Sequence, residues 1–299
     1  MTLVIGSIQL GFLYAILALG IYITFRILNL PDLTVDGSFS FGMACAAVIT
    51  LSGHPFLALL IAIIAGALAG CMTGLLQTKL SIHPILSGIL VMTGLYTINL
   101  GIMGGKSNLS LVGSSTLFMK MESVFGSVNG KTSLAFLVCI IVIIILAVFF
   151  KTKAGLAIRA TGDNEDMVRS SSINANLSKC IGLSLGNACV ALSGALICQY
   201  QMFSDVSAGS GMVVIGLASV IIGETIIGKR SVTIGLISSA AGSIIYRIII
   251  ALALKVDLFP SYALKLISAV IVMIALSGPS IKASIEQYKV RREARNHLD

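Results

Sequence analysis

Ser133-Leu-Ala-Phe-Leu-Val-Cys-Ile-Ile-Val-Ile-Ile-Ile-Leu-Ala-Val-Phe-Phe150, followed at once by Lys151-Thr-Lys153, decides the fold class. No charge interrupts the run, and it approaches the roughly 20 apolar residues an α-helix needs to cross a hydrocarbon layer. The pattern recurs, with apolar runs near 3–25, 38–52, 56–78, 84–103, 132–150, 178–203, 211–228, 231–253 and 262–278. Across 299 residues the chain is 57% apolar and 11% charged, whereas a soluble domain carries about 25% charge. Mean hydropathy is +1.02. These values exclude a soluble enzyme, a disordered chain and a disulfide-stapled secreted module. The expected fold is an all-α polytopic integral membrane protein of about 8 to 10 transmembrane helices. The 38–52 run is short and lies near Pro31, Gly37 and Gly42, so a broken or re-entrant helix is expected there.

The net charge of +8 does not point to nucleic acid, because the basic residues sit between apolar runs. Nine spans with the N-terminus outside place Arg26, Lys79, the 151–179 loop, Lys229-Arg230 and the basic tail on the cytoplasmic side. Lys106, Lys120, Lys131 and Lys255 remain opposite. The segment 104–131, rich in Gly, Ser and Asn, reads as an external loop with a surface helix. Cys45, Cys71, Cys139, Cys180, Cys189 and Cys198 lie in or beside apolar runs without a Cys-x-x-Cys pair, as small buried hydrophobes do. No metal site is expected.

Two segments resemble each other. Asp32-Leu-Thr-Val-Asp36-Gly-Ser38 follows the first span, and Asp205-Val-Ser-Ala-Gly-Ser-Gly211 follows the sixth. Five crossings separate them, an odd number, so equivalent elements point in opposite directions. That is the sequence trace of an inverted repeat, found in many transporters. The chain then divides into a first half 1–150, a cytoplasmic loop 151–178, a second half 179–278 and a basic cytoplasmic tail 279–299.

Ionisable and amide groups at membrane depth are candidates for function. Asp32, Asp36, Ser38, Asn99 and Asp205 are the expected translocation-path residues, with Glu224 and Arg247 an expected ion pair. Asn187 and Gln199 read as hydrogen-bonding links between helices. Gly66, Gly70 and Gly74 offer a smooth helix face for close packing, within the subunit or across a dimer.

The longest loop, Lys151-Thr-Lys-Ala-Gly155-Leu-Ala-Ile-Arg159-Ala-Thr-Gly162-Asp-Asn164-Glu-Asp166-Met-Val-Arg169-Ser-Ser-Ser-Ile173, predicts a short charged helix over 159–173. Asp163, Glu165 and Asp166 suit a helix start, with Asp163 able to cap it. Met167, Val168 and Ile173 form a small apolar face, and Gly155 and Gly162 are expected to let the backbone bend around the helix. Gly223-Glu-Thr-Ile-Ile-Gly228-Lys229-Arg230 comes close to a phosphate-binding loop. It has Arg230 where Ser or Thr must hold magnesium, and it follows a span rather than a strand. An intramembrane protease needs a Ser–His or paired-Asp site, and His54, His83 and His297 sit away from Ser210; His54-Pro55 and His83-Pro84 read as helix starts.

The Gly155…Arg159-Ala-Thr-Gly162-Asp-Asn164 stretch resembles the coupling segment of bacterial ABC-transporter permeases of the branched-chain amino acid and ribose type. Gly11-Phe-Leu-Tyr14-Ala-Ile-Leu-Ala-Leu-Gly20 resembles that family's first repeat, and Leu30-Pro-Asp32-Leu-Thr-Val-Asp36-Gly-Ser38-Phe39 is similar to the subfamily assigned to tryptophan and tyrosine uptake. The resemblance runs over nearly the whole chain. It implies a permease subunit in the bacterial inner membrane, forming a homodimer or a pair of permeases. It also implies separate cytoplasmic ATPase subunits, which hold ATP and Mg, and an external substrate-binding lipoprotein. This chain itself is expected to carry no cofactor and no catalytic residue. The coupling residues implied are Gly155, Arg159, Gly162, Asn164, Glu165, Asp166 and Arg169, and the solute is a small molecule, with an aromatic amino acid favoured by resemblance alone. The competing expectation is an ion-coupled secondary transporter that uses Asp32, Asp36 or Asp205.

Overall fold

A computed structural model describes residues 2–228 and 230–255. Of the expected ninth span, 262–278, only the isolated helical positions 266, 269, 270 and 273 are described; Lys229 and the tail 279–299 lie outside the described residues.

The apolar runs fold as helices. They are α1 (Thr2–Ile21), α2 (Thr34–Leu51), α3 (Pro55–Thr78), α4 (Pro84–Ile102), α6 (Ser127–Phe149), α9 (Ala175–Gln201), α10 (Met212–Ile227) and α11 (Val232–Lys255). Amphipathic α5 (Leu117–Phe125) is the surface helix expected within 104–131, and α7 (Lys153–Asp163) and α8 (Glu165–Ser170) form the long loop. Pro55 and Pro84 open α3 and α4 at the first helical position, where a missing N–H costs nothing. Helix α1 continues into a π-helical turn, Tyr22–Ile27. Two short strands, β1 (Asn108–Ser110) and β2 (Phe203–Asp205), pair antiparallel, with Asn108 opposite Asp205.

Among the described residues, seven helices are long and apolar enough to cross a membrane. Helix α2 is continuous over 18 residues, which corrects the expected break. Its glycines serve contacts instead: Gly37 faces Met92 and Leu95 of α4, and Gly42 faces the Ala191 backbone of α9. The shortened element is α10. Its 16 residues span about 24 Å at about 1.5 Å per residue, less than the roughly 30 Å hydrocarbon layer.

Helix α9 is the centre, packing against α1, α2 and α3. Ser193 Oγ donates to the Leu13 carbonyl while Gly20 meets the Gly186 backbone, so α1 runs antiparallel to it. Ser38 pairs with Asn187 and Gly42 with Ala191, so α2 runs parallel. Gly66, Gly70 and Gly74 lie against Asn187, Leu183 and Cys180 respectively. The predicted glycine face is therefore buried within the subunit.

Two ends of the bundle follow. Gly162 rests on the Ile27 carbonyl and Thr78 approaches Cys180, so Arg26, Lys79, α7 and α8 share one end. Lys131 and Glu122 pair at 3.1 Å at the other end, near Tyr200 and the β1–β2 pair. Between them the outer faces of α3, α4 and α6 display Phe56, Leu68, Leu90, Ile145 and Val148, which are at least half exposed. An apolar band of this extent belongs against lipid or another subunit, not water.

At Gly70 an added methyl would overlap the Leu183 carbonyl, whereas at Gly94 it meets nothing within 4 Å. Gly70→Ala should therefore cost about 1–3 kcal/mol by forcing α3 and α9 apart. It should lower the thermal midpoint in detergent, while Gly94→Ala should leave that midpoint near wild type.

Candidate functional site

The expected path residues separate into two groups. Asp32 and Ser38 belong to a buried network. Thr34 N–H donates to Asp32 Oδ1 at 2.9 Å, and Asn187 Nδ2 donates to Asp32 Oδ2 at 2.7 Å. Ser38 Oγ donates to Asn187 Oδ1 at 2.7 Å. Thr34 Oγ1 and Thr73 Oγ1 share a hydrogen bond at 2.7 Å, and Thr73 Oγ1 also lies 3.2 Å from the Ala69 carbonyl. The network joins α2, α3 and α9, so Asn187 is the link expected of it. Gln199 is another: it donates to the Pro55 carbonyl and accepts from Leu117 N–H.

Asp36 and Asn99 instead line one cavity of ≈ 290 Å³ between α2, α4 and the turn 206–211. Met92, Thr93 and Tyr96 of α4 and Ser40, Val206, Ser207 and Ser210 contribute to its wall. Asp36 also works outward. Its Oδ2 accepts from Gly211 N–H and its Oδ1 from Val213 N–H, each at 2.9 Å. Gly211 has no side chain to cap α10 and adopts φ 89°, which glycine alone takes at little cost. A carboxylate 175 residues upstream in sequence therefore supplies that cap and complements the positive end of the helix. Ser40 Oγ accepts from Gly209 N–H at 2.9 Å. Asp205 stands beside the cavity rather than in it, with Oδ1 accepting from Ser207 N–H at 2.7 Å. This is the same residue-to-residue-plus-two turn that Asp32 makes with Thr34.

Ser40, Tyr96 and Ser207 were missed by sequence reasoning. The signal lay in spacing: Ser40 is one helical turn after Asp36, and Tyr96 and Asn99 are three apart on α4, so each pair shares a face. The expected Glu224–Arg247 pair is not made. Arg26 at the end of the π-helical turn forks onto Glu224 instead, with Nε donating to Oε1 at 2.7 Å. Arg247 lies over the Tyr14 ring, 3.5 Å from its centroid. Sequence distance hides the first pairing, because Arg26 and Glu224 sit in different halves of the chain.

The long loop contains two helices rather than one. Asn164, extended at φ −158°, ends α7 and starts α8 by accepting from Met167 N–H at 3.0 Å. It takes the role expected of Asp163, which is the last residue of α7. Gly155 and Gly162 are not bends but contacts within α7: Gly155 lies on Phe149–Phe150 and Gly162 on the Ile27 carbonyl. Ile158 and Val168 are fully buried, so Val168 leaves the expected apolar face and anchors it from below. Arg159, Asp166 and Arg169 are exposed, with Leu156, Met167 and Ile173 beside them. Glu165 holds α8 to α9, accepting from Lys179 at 2.5 Å and Arg169 at 2.7 Å. Burial pushes its carboxyl up, but the hydrogen bonds and charges of Lys179 and Arg169 prevail and hold it below the usual carboxylate range. Gly223, from the near-match to a phosphate-binding loop, lies inside α10 against the Ser238 carbonyl.

Comparison with known proteins adds the family. Residues 3–276 match the family described as branched-chain amino acid transport system / permease component. The chain is 38% identical over 288 residues to a tyrosine transport system permease protein of Clostridioides difficile (strain R20291), covering 95% of this chain and 94% of that one. It is 33% identical over 282 residues to an uncharacterized protein of Rickettsia prowazekii (strain Madrid E), covering 93% and 98%. It is 24% identical over 262 residues to the fructose import permease protein FruF of Bifidobacterium longum (strain NCC 2705), covering 86% and 73%. No solved structure matches. With seven crossing-length helices among the described residues and a family match over nearly its whole length, the chain belongs to the branched-chain amino acid permease family of ABC transporters.

Proposed function

We propose that the chain is the membrane subunit of an ATP-driven importer of a small solute, an amino acid with an aromatic one favoured by resemblance, working by alternating access in the bacterial inner membrane. In this reading the α7–α8 end faces the cytoplasm and meets the ATPase subunits, which hold ATP and Mg. A binding lipoprotein delivers solute at the opposite end, and two permease copies enclose the path. The observation that carries it is the construction of α7 and α8. Their inner faces are locked onto the bundle through Gly155, Ile158, Gly162 and Val168, while Arg159, Asp166 and Met167 are presented outward. A loop that merely connected spans would not need so close a seat.

The seat also gives force a route. Gly162 bears on Ile27, Arg26 in the same turn holds Glu224 near the end of α10, and the start of α10 is held by Asp36 at the cavity. Nucleotide must bind one arrangement of the ATPases more tightly for this route to shift the permease between states. The matching turns at Asp32 and Asp205 support the inverted-repeat reading of the two halves. Ion coupling through the aspartates has less support, because each already accepts backbone N–H bonds that hold a turn or a helix start.

Reconstitution tests the proposal. Uptake into proteoliposomes should require the ATPase, ATP and binding protein; uptake driven by a proton or sodium gradient alone would overturn it. Arg159→Glu and Asp166→Lys should insert normally but reduce permease-stimulated ATP hydrolysis at least about tenfold, since each reverses a charge on the exposed face. Undiminished stimulation in both would remove α7 and α8 from the docking surface.

The Glu165 anchor has a pH signature. Its carboxyl lies lower in the folded chain than in the unfolded one. Its contribution is therefore full above the ordinary glutamate value of about 4.3 and fades as pH falls through the lower folded value. Amide-exchange protection of α8 should hold from pH 7 to about 5 and decline below about 4. Glu165→Gln should weaken that protection even at pH 7, by about 1 kcal/mol or less, because these side chains are partly exposed.

A further inference from the structure

Helix α1 does not end as an α-helix. Its last turn, Tyr22–Ile27, is π-helical, with Leu28 N–H donating to the Ile23 carbonyl at 3.0 Å, five residues back. Such a turn fits one surplus residue into the helix; it is a rare conformation that recurs at functional sites. Contacts fix the chain on both sides of the surplus residue. Above it, Gly20 lies on the Gly186 backbone of α9 and the Tyr22 hydroxyl faces Gly235 of α11. Below it, Arg26 forks onto Glu224 of α10, the Ile27 carbonyl carries Gly162 of α7, and the Leu28 side chain lies against Gly182 of α9. Helices α7, α9, α10 and α11 are thus all seated around one turn.

A one-residue change of register here is a defined movement. If the turn wound as an α-helix, each residue beyond it would take its neighbour's place, about 3.8 Å away and about 100° around the axis. Half-buried Phe25 would come opposite Glu224, and Arg26 would occupy the position of Ile27. Residues 28–33, before α2, are not helical, and Asn29 takes φ 54°, so there is chain to absorb the surplus. Glu224 decides which form is held. Its side chain is 8% exposed, and a carboxylate so placed is costly to leave without its cation.

We infer that the last turn of α1 is a two-position register switch, latched in the π form by Arg26 on Glu224 and released to the α form when that pair opens. In the released form the Ile27 carbonyl moves by about 3.8 Å, and the seat of Gly162 moves with it. A push on α7 bears on a carbonyl inside the turn, and the turn controls the tie to α10. The inference deepens the force route proposed above and rests on the transport reading only for what drives the switch. The switch itself belongs to this chain.

Spin labels at Leu156→Cys on α7 and Ile226→Cys on α10, both at least half exposed, report the distance between these helices in the full chain in nanodiscs. Cys71 and Cys180 are replaced by serine, and Cys45, Cys139, Cys189 and Cys198 are buried. Arg26→Gln should move the distance by about 4 Å, and Glu224→Gln should do the same. Deleting Phe25 removes the surplus residue, so the turn winds as an α-helix with Arg26 still on Glu224. The shortened chain should keep the native distance, and adding Arg26→Gln to it should leave that distance unchanged. Arg26→Glu combined with Glu224→Arg should restore the native distance at full length.

No movement in Arg26→Gln, or the same movement after Phe25 has been deleted, would overturn the inference. So would a moved distance that persists in the exchanged pair, a comparison that stands even where the shortened chain does not insert. A switch seen in nanodiscs alongside uptake that ignores ATP would count against the importer and leave the switch standing. ATP-driven uptake with an immobile turn would do the reverse.

Discussion

A chain that turns inside a hydrocarbon layer must supply partners for every backbone N–H and C=O it exposes there, since no water is present to do so. Helices satisfy this within themselves, and the difficulty falls on the places where they start and stop. Three aspartates meet it here. Asp32 and Asp205 each accept the N–H two residues on, closing the turns that follow α1 and α9. Asp36 accepts two N–H groups at the start of α10. Without that remote cap, α10 would open on bare donors and its positive dipole end in an apolar setting. A helix too short to cross can thus begin inside the bundle.

The second constraint is closeness. Helices in lipid gain little from burying apolar side chains against one another, so they associate where backbones can approach and polar groups can bond. Helix α9 satisfies both conditions on several sides. Small residues of α1, α2 and α3 at Gly20, Gly42, Gly66, Gly70 and Gly74 touch its backbone. Asn187 and Ser193 bond outward from it. Helix α9, from the second half of the chain, is therefore surrounded by the first half, and the two halves form one packed body rather than two.

Most of the spans were legible in the sequence because uninterrupted apolar length is a one-dimensional property. Helix starts at Pro55 and Pro84 and the glycine face of α3 were equally plain. What escaped depends on partners distant in sequence. Gly37 and Gly42 suggested a broken helix, yet a glycine in a membrane helix serves close approach as readily as interruption, and only the position of α9 and α4 decides between them. Arg247, on the neighbouring span, is the partner the sequence suggests for Glu224, because nothing along the chain brings the end of α1 beside the end of α10. Asp163 looked like the cap of a helix running over 159–173, but the extended Asn164 divides that segment into α7 and α8. Asp36 and Asn99 were recognisable as unusual for their depth. That they share a cavity, whereas Asp32 and Ser38 do not, depends on which face of α2 meets α4 and which meets α9.

Helix α10 connects these observations physically. One end is tied by Glu224 to the turn beneath which α7 sits, and the other is tied by Asp36 to the cavity wall. In the proposed reading, a displacement of α7 would load the Gly162–Ile27 contact, where there is no side chain to yield, and would pass through the Arg26–Glu224 pair to α10. At the opposite end the Asp36 carboxylate both caps α10 and lines the cavity, so the position of that helix and the shape of the cavity wall are set by one group. If the ATPases of the proposed reading act through this route, the linkage is reciprocal by necessity: whatever favours one position of α10 at the cavity biases the α7–α8 end by the same free energy.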